Sequence, residues 1–394
     1  MQTNAKRQEA RIGTALVIVA LSLGSITCGR DAETSLTEPT QREISPTTTD
    51  TPEPVSSFVA GSTAYGFFPT PPIATVEGVL NHFEALGSHA DFILIQSNIP
   101  WADFVVGAEG ASKSRTDIQN QVALARANDL AYVFVVDPLN GLNRREFYAL
   151  PAGWSATFEH EAIRAAFTNF TLWIVRQFNP RYLGLASEIN TYADAHPGDF
   201  PHFVSLYAET YDRVKAESPH ASLFVTFQWD DLNNMFPGAA EGRPVGRTNW
   251  GQVEAFEPRL DIWAISSYPY FVFPSGEEIP ADYYSPLLAR TSKPLAVAEG
   301  GYASRDVGPV QADADDQLAY LNAIHDQIGG RLDFWVYLLL DDLDMGSISQ
   351  AMRDQGRDES EIEGLRMFAP IGLREADGTP KPALEVWERF RGEE

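Results

Sequence analysis

From about residue 58 onward the chain alternates short apolar runs with longer segments whose apolar positions recur at helical spacing. Eight runs read as strands: residues 63–68, 90–96, 131–136, 182–186, 222–227, 260–266, 295–298 and 332–340. Among the segments between them, 116–129 sets Ile118, Val122 and Ala125 on one face. Residues 156–178 carry a wider face through Phe158, Ile163, Phe167, Phe170 and Ile174, and 200–217 one through Phe203, Leu206, Tyr207, Tyr211 and Val214. Residues 313–328 open on Asp313, Asp315 and Asp316, as a helix dipole favours, and close on Gly329-Gly330. A shorter helix opened by Pro286 fits 284–291, and 382–391 packs outside through Leu384, Trp387 and Phe390. Asp137-Pro138 stops the third strand and Asn179-Pro180 the helix before the fourth.

Strands alternating with helices imply a parallel sheet covered by helices, and eight strands close it as an α/β fold of the (β/α)8 TIM-barrel type. An open doubly wound sheet is the competing fold. It needs a glycine-rich phosphate loop after an early strand, and Gly107, Gly110 and Gly141 lack the spacing and context. No linker-like stretch interrupts 58–394, which reads as one domain, expected to be monomeric.

The first 57 residues are of another kind. Lys6, Arg7 and Arg11 precede an apolar segment over 12–24, a basic region and hydrophobic region of secretory type, too short for a spanning helix. Cys28 follows and is the only cysteine of the chain, so no disulfide can form within it. A lone cysteine there resembles the lipid-modified cysteine of bacterial lipoproteins. The resemblance implies a signal peptide over 1–28 and a lipid anchor at Cys28; plain secretion and a retained membrane tether are the alternatives. Residues 29–57, rich in Pro, Thr, Glu and Ser, cannot bury enough apolar surface to order themselves and read as a stalk. The formal charge of −25, from 54 acidic and 29 basic residues, argues against nucleic acid or an anionic membrane face as partner and suits a neutral ligand.

In a barrel all C-terminal strand tips face one mouth. In order they carry Tyr65 and Phe68; Asn98 and Trp101; Asp137; Ser187, Glu188 and Asn190; Gln228, Trp229 and Asp230; Tyr268 and Tyr270; Glu299 and Tyr302; and Trp335, Asp341 and Asp342. Aromatic faces cover the apolar side of a sugar ring, while carboxylates and amides take its hydroxyls. A phosphorylated ligand would call for Lys or Arg, and no tip supplies one. Glu188 and Glu299, each ending a short apolar strand, offer the two carboxyl groups that retaining glycoside hydrolysis needs. A single strand-end glutamate is as readily a salt bridge or a cap; two in equivalent positions, ringed by aromatics, favour chemistry.

On these residues the chain resembles the large clan of retaining (β/α)8 glycoside hydrolases that includes cellulases, β-mannanases and β-1,4-galactanases, over about residues 60–391. In that clan the acid/base glutamate ends strand four and the nucleophile ends strand seven. Glu188 in ASEIN and Glu299 in AEGGY stand at those positions. Tyr268 and Trp335 resemble the clan's tyrosine after strand six and tryptophan on strand eight. The resemblance implies double displacement at β-glycosidic bonds of an oligo- or polysaccharide. Trp101, Asp137, Ser187, Asn190, Trp229, Tyr268, Tyr270 and Trp335 are then the expected sugar contacts, with Trp335 as the floor. Glu188, beside apolar Ala186 and Ile189, is expected to hold the proton, and Glu299 to be kept ionised by Tyr268.

Two departures stand out. Ser187 occupies the place of the clan's asparagine before the acid/base, and the clan's arginine near strands one or two has no counterpart, the second strand offering Gln96 and Asn98. They keep open a second reading, a catalytically weak or inactive barrel that binds carbohydrate at a cell surface. No cofactor is expected. The histidines form no H-E-x-x-H pattern, and Asp341-Asp342-Leu343-Asp344 reads as a solvated acidic loop rather than a calcium site. The leader yields a test: intact-mass measurement of protein from its native host is expected to show a lipidated Cys28 or a cleaved terminus near it. A cytosolic protein with Met1 intact contradicts the export reading.

Overall fold

The computed structural model describes residues 58–59, 61–106, 113–236 and 244–392. The expected leader with Cys28 and the stalk over 29–57 lie outside the described residues, as do Gly107 and Gly110. The chain alternates β1 (Ala64–Phe67), α1 (Val76–His89), β2 (Phe92–Asn98), α2 (Lys113–Ala127), β3 (Ala131–Asp137), α3 (Glu161–Phe178), β4 (Tyr182–Gly184) and α4 (Phe200–Glu217). It continues with β5 (Ser222–Phe224 and Thr226–Gln228), α5 (Trp250–Glu254), β6 (Trp263–Ser267), α6 (Pro286–Arg290), β7 (Leu295–Gly300), α7 (Ala314–Ile328), β8 (Leu332–Tyr337) and α8 (Pro382–Gly392).

The strands pair in parallel, each with its sequence neighbours, and β1 pairs with β8. β5 is broken at Val225: its first half pairs with β4 and its second with β6, so the two edges of the sheet are halves of one strand and the barrel closes through it. The expected (β/α)8 barrel is thus the fold. α1 has no counterpart in the sequence reading. It is capped by Thr75, whose hydroxyl accepts the Gly78 N–H at 2.9 Å, and it buries Val79, His82, Phe83 and Leu86. Among the described residues no helix is long and apolar enough to cross a membrane.

Aromatic rings fill the N-terminal end of the barrel. Phe334 of β8 meets Phe92, Tyr182 and Phe224 at centroid distances of 5.8, 5.1 and 5.7 Å, and Phe58 covers Phe92 and Tyr182 from below. Glycines on the neighbouring strands leave the room. A Cβ on Gly66 would lie 2.6 Å from the Phe92 ring, and one on Gly184 would lie 2.9 Å from Phe224 and Val135. The plug closes one end and leaves the C-terminal strand tips as the place where polar groups gather.

Beyond the eight pairs, Leu139–Asn140 and Asn143–Phe147 form a hairpin after β3, and helices Met345–Asp354 and Glu359–Arg366 form an insertion after β8. Asp341 and Asp342 anchor the start of that insertion. They are buried, and Asp341 takes bonds from His82 and Arg374, while Asp342 takes them from Arg305, Lys381 and the Gly372 N–H. This corrects the expectation of a solvated acidic loop. Asp344 caps the first of the two helices by accepting the N–H groups of Gly346 and Ser347. The plug sets a stability test. Gly66→Ala is expected to lower stability by about 1–3 kcal/mol, the range for overpacking a filled core. Urea unfolding followed by circular dichroism measures it, and a midpoint equal to that of the unsubstituted protein contradicts the packing account.

Candidate active site

β4 ends early because the chain must turn at Glu188. Leu185 donates its N–H to Phe224 O (2.8 Å) and Thr226 returns one to Ala186 O (3.1 Å), so pairing continues past the last regular strand residue. Glu188 then takes the left-handed backbone conformation, φ 51° and ψ 42°, and starts the short helix Ile189–Ala195. That conformation costs a non-glycine residue about 1–3 kcal/mol and persists only where surrounding bonds enforce it. Here the Glu188 N–H donates to Thr226 Oγ1 at 2.7 Å. Asn190 completes the turn, its amide donating to Gln228 O and Asp231 Oδ2 and accepting the Gln228 N–H.

The Glu188 carboxyl points among buried groups and is itself fully buried. Oε1 accepts from Ser266 Oγ (2.5 Å) and Oε2 from Arg144 Nε (3.1 Å). Arg144, with no exposed side-chain surface, also binds Asp137 Oδ2 through Nη1, and Gln96 Nε2 donates to the same oxygen at 2.7 Å. Asp137, Arg144 and Glu188 thus form one buried ion chain. Glu299 stands on β7 at a bulge, where Val297 pairs with Ile265 and Glu299 with Ser266, so that Ala298 is extra. A bulge re-aims a side chain. Tyr268 OH donates to Glu299 Oε1 at 2.9 Å, while Oε2 is buried with no partner among the described residues, as is Arg144 Nη2.

The two carboxyls act on each other. Burial pushes both up; at Glu188 the Arg144 charge and the Ser266 and Arg144 hydrogen bonds oppose it. At Glu299 burial is reinforced by the Glu188 charge, against Arg144 and the Tyr268 hydrogen bond, and the carboxyl lies well above the usual range. Glu188 has two direct donors, Ser266 and Arg144, against the single donor Tyr268 on Glu299, so the ionised form has more support at Glu188. The Tyr268 contact to Glu299 stands where the sequence analysis puts it.

Several expected sugar contacts point elsewhere. Trp335 lies on the outside of β8 against Tyr65, Trp387 and Phe390, a core residue beneath α8 and not a floor for Glu299. Trp229 donates its indole N–H to Tyr283 O and packs on Trp250 and Tyr284, and Trp101 donates to Tyr148 O against Phe147. Tyr270 is buried, its hydroxyl on Met367 O. The polar groups of Asn190 hold the turn, and Ser187 Oγ meets Thr226 Oγ1 at 3.2 Å. Asp137 remains beside Glu188, one arginine away.

Arg144 is the residue the strand tips did not reveal. It comes from the hairpin, whose signal is present in LNGLNRREF: Gly141 and Leu142 form a two-residue connection between Asn140 and Asn143. No strand tip of the sequence reading supplies a cation, and Arg144 reaches the carboxyls from the hairpin instead. Among the described residues no group of His, Cys, Asp or Glu is arranged to hold a metal ion.

Comparison with known proteins bears on the fold. No protein-family profile matches the chain. No curated protein matches it either. Solved structures do. An exo-β-1,4-mannosidase from Opitutaceae bacterium strain TAV5 superposes with a TM-score of 0.59 at 14% identity over 86% of this chain, which spans 62% of that protein's length. The GH5_18 structure from Bifidobacterium longum gives 0.58 at 14% identity, covering 84% of this chain and 80% of that one. A family 39 glycoside hydrolase from Bacteroides cellulosilyticus WH2 gives 0.54 at 16% identity, covering 86% of this chain and 65% of that one. At such identities the likeness is one of barrel fold.

The ion chain makes a prediction. Arg144→Met leaves Glu188 and Asp137 buried without their cation and is expected to cost about 3–5 kcal/mol at neutral pH, as breaking a buried pair does. Without the arginine the folded pKa of Glu188 rises further above its unfolded value. A carboxyl shifted that way destabilises the fold only above its unfolded pKa, so the deficit shrinks as pH falls toward that value. Urea titrations across pH measure it; a deficit below about 1 kcal/mol at neutral pH contradicts the ion chain.

Proposed function

We propose that this protein is a glycoside hydrolase that cleaves β-glycosidic bonds of an oligo- or polysaccharide with retention of configuration. Glu299 is the nucleophile and Glu188 the acid and base. The observation that carries the reading is the pair itself: two buried carboxyls from β4 and β7, mutually coupled, with Tyr268 on one and Arg144 and Ser266 on the other. The barrel likeness to solved glycosidases supports it. Export, with Cys28 as a lipid anchor, is part of the same proposal and rests on the leader sequence.

Double displacement needs one proton and one negative charge on the pair. A coupled buried pair is suited to holding that single proton, because the charge of each carboxylate resists the second ionisation. For reaction the single proton sits on Glu188, which protonates the leaving oxygen while the Glu299 carboxylate attacks the anomeric carbon through Oε2, the oxygen with no hydrogen-bond partner among the described residues. Tyr268 holds the other oxygen and orients the attack. Arg144, bound to Asp137, stays near enough to stabilise Glu188 when it becomes a carboxylate again.

Glu299→Gln is expected to abolish turnover with the fold intact. Glu188→Gln is expected to slow substrates with poor leaving groups by about 10²–10⁴, the usual contribution of a general acid, and activated aryl glycosides far less. Rates on a panel of β-linked glycans and aryl glycosides, with the first product's anomer read by NMR, measure both. An inverted product, or a Glu299→Gln protein that keeps its full rate, overturns the assignment. Saccharide binding without hydrolysis across the panel favours the carbohydrate-binding reading.

A further inference from the structure

Asp230 is a buried carboxyl that the reaction described above does not use. It stands just past β5, in the helical turn Trp229–Leu232, and has no exposed surface. Among the described residues no Lys, Arg or His pairs with it; three neutral donors hold it instead. Tyr283 OH donates to Oδ1 at 2.5 Å, and Oδ2 takes the Tyr268 N–H at 2.9 Å and Gln228 Nε2 at 2.8 Å. The Gln228 amide is fixed in that sense, because its Oε1 accepts the Asp231 N–H at 2.5 Å. Burial lifts the Asp230 carboxyl above its ordinary range against those three bonds, and its charge acts on Tyr283, Tyr284 and Tyr320. A buried carboxyl without a cation is costly to keep. Its nearest effect on the reacting groups runs through Tyr268.

The contact to Tyr268 stands where the sheet no longer makes one. β6 ends at Ser267, and the last β5 residue in the ladder, Gln228, lies opposite Ser266. β5 then turns away into Trp229–Leu232, and the side chain of Asp230 supplies the acceptor for the Tyr268 N–H. From that anchor the tyrosine reaches Glu299, its hydroxyl donating to Oε1 at 2.9 Å. Phe368 and Phe271 border the ring at centroid distances of 5.2 and 6.3 Å, which limits its sideways movement. The far end of the anchor is held too: Trp229 Nε1 donates to Tyr283 O, and Ser267 Oγ meets the Tyr284 hydroxyl at 2.9 Å. One line of contacts thus runs from Tyr283 through Asp230 and Tyr268 to Glu299.

We propose that Asp230 is a positioning residue: by holding the Tyr268 backbone it keeps the tyrosine hydroxyl on Glu299 Oε1 and so sets the reactivity of that carboxyl. The consequence for turnover rests on the glycosidase reading, and the contact itself does not. The Tyr268 hydrogen bond favours the ionised form of Glu299, so its loss raises the Glu299 pKa. The other groups that act on Glu299 are Glu188, Arg144 and Asp137. Were Asp230 only a nearby negative charge, removing it would move Glu299 the opposite way, downward.

The test reads Glu299 without its partner, in a Glu188→Gln background, by NMR of carbon-13-labelled glutamate; its signal is the one lost on Glu299→Gln. Asp230→Leu, close in shape but with no acceptor, is expected to raise the Glu299 midpoint by about one pH unit, as loss of a bond to a charged group does. Asp230→Asn keeps a carbonyl oxygen for Tyr268 and Gln228 while its NH2 meets the Tyr283 hydroxyl, and its midpoint stays within about 0.3 pH units of the background. With Tyr268→Phe already present, Asp230→Leu adds no further rise. An unmoved or lowered midpoint in Asp230→Leu, an equal rise in Asp230→Asn, or the same rise with and without the Tyr268 hydroxyl overturns the proposal. Should Asp230→Leu not fold, Tyr283→Phe frees one side of the carboxyl and is expected to raise the midpoint by a smaller amount; no rise there overturns it too. On activated aryl glycosides the acidic limb of kcat/KM in the same background follows the midpoint, because only ionised Glu299 attacks. If the unsubstituted protein hydrolyses no glycoside, the glycosidase reading fails, and the NMR midpoints still decide whether Asp230 positions Tyr268.

Discussion

A carboxylate at the centre of a barrel is stable only if something answers its charge, and here that is Arg144. It reaches in from the hairpin after β3, fully buried, and joins Asp137 to Glu188. Removing two carboxylates and a guanidinium from water costs several kcal/mol per ion, offset only when geometry and hydrogen bonds are good. The surrounding structure serves that condition. Gln96 and the Leu139 N–H complete Asp137, Ser266 completes Glu188, and Thr226 and Asn190 enforce the left-handed turn that presents it.

The same interaction sets the charge of the partner. With Arg144 and Ser266 on Glu188 and only Tyr268 on Glu299, the β7 carboxyl has the weaker support for a charge and is pushed well above the usual carboxylate range. The insertion after β8 adds to the isolation that makes this coupling strong: Phe368 packs on Tyr268, and Tyr270 donates to Met367 O.

Much of this was legible in the sequence. Glu188, Glu299 and Tyr268 could be placed because each follows an apolar run, and in a parallel barrel the residues after such runs share one mouth. The inward or outward sense of each strand was not legible. Strands of a parallel barrel are apolar on both faces, so FWV in β8 gives no sign that Phe334 turns in and Trp335 out. Contacts with α8 decide it, and those are long-range. Trp229 and Trp101 belong to the same class, large rings near strand ends that pack away from the mouth, Trp229 on Trp250 and Tyr284 and Trp101 on Phe147 of the hairpin. Arg144 was hidden for another reason, since it arises from a two-stranded insertion and not from a strand tip. The break in β5 at Val225 likewise depends on closing the barrel and leaves no local mark in SLFVTFQ.

Nucleophile is the role proposed for Glu299, whose Oε1 accepts from Tyr268. Incubation with a 2-deoxy-2-fluoroglycosyl fluoride that slows release of the intermediate, followed by peptide mass mapping, tests it directly. The account predicts one fluorosugar bonded to the peptide containing Glu299. A label on Glu188, or turnover of glycans with no label on either carboxyl, would contradict it.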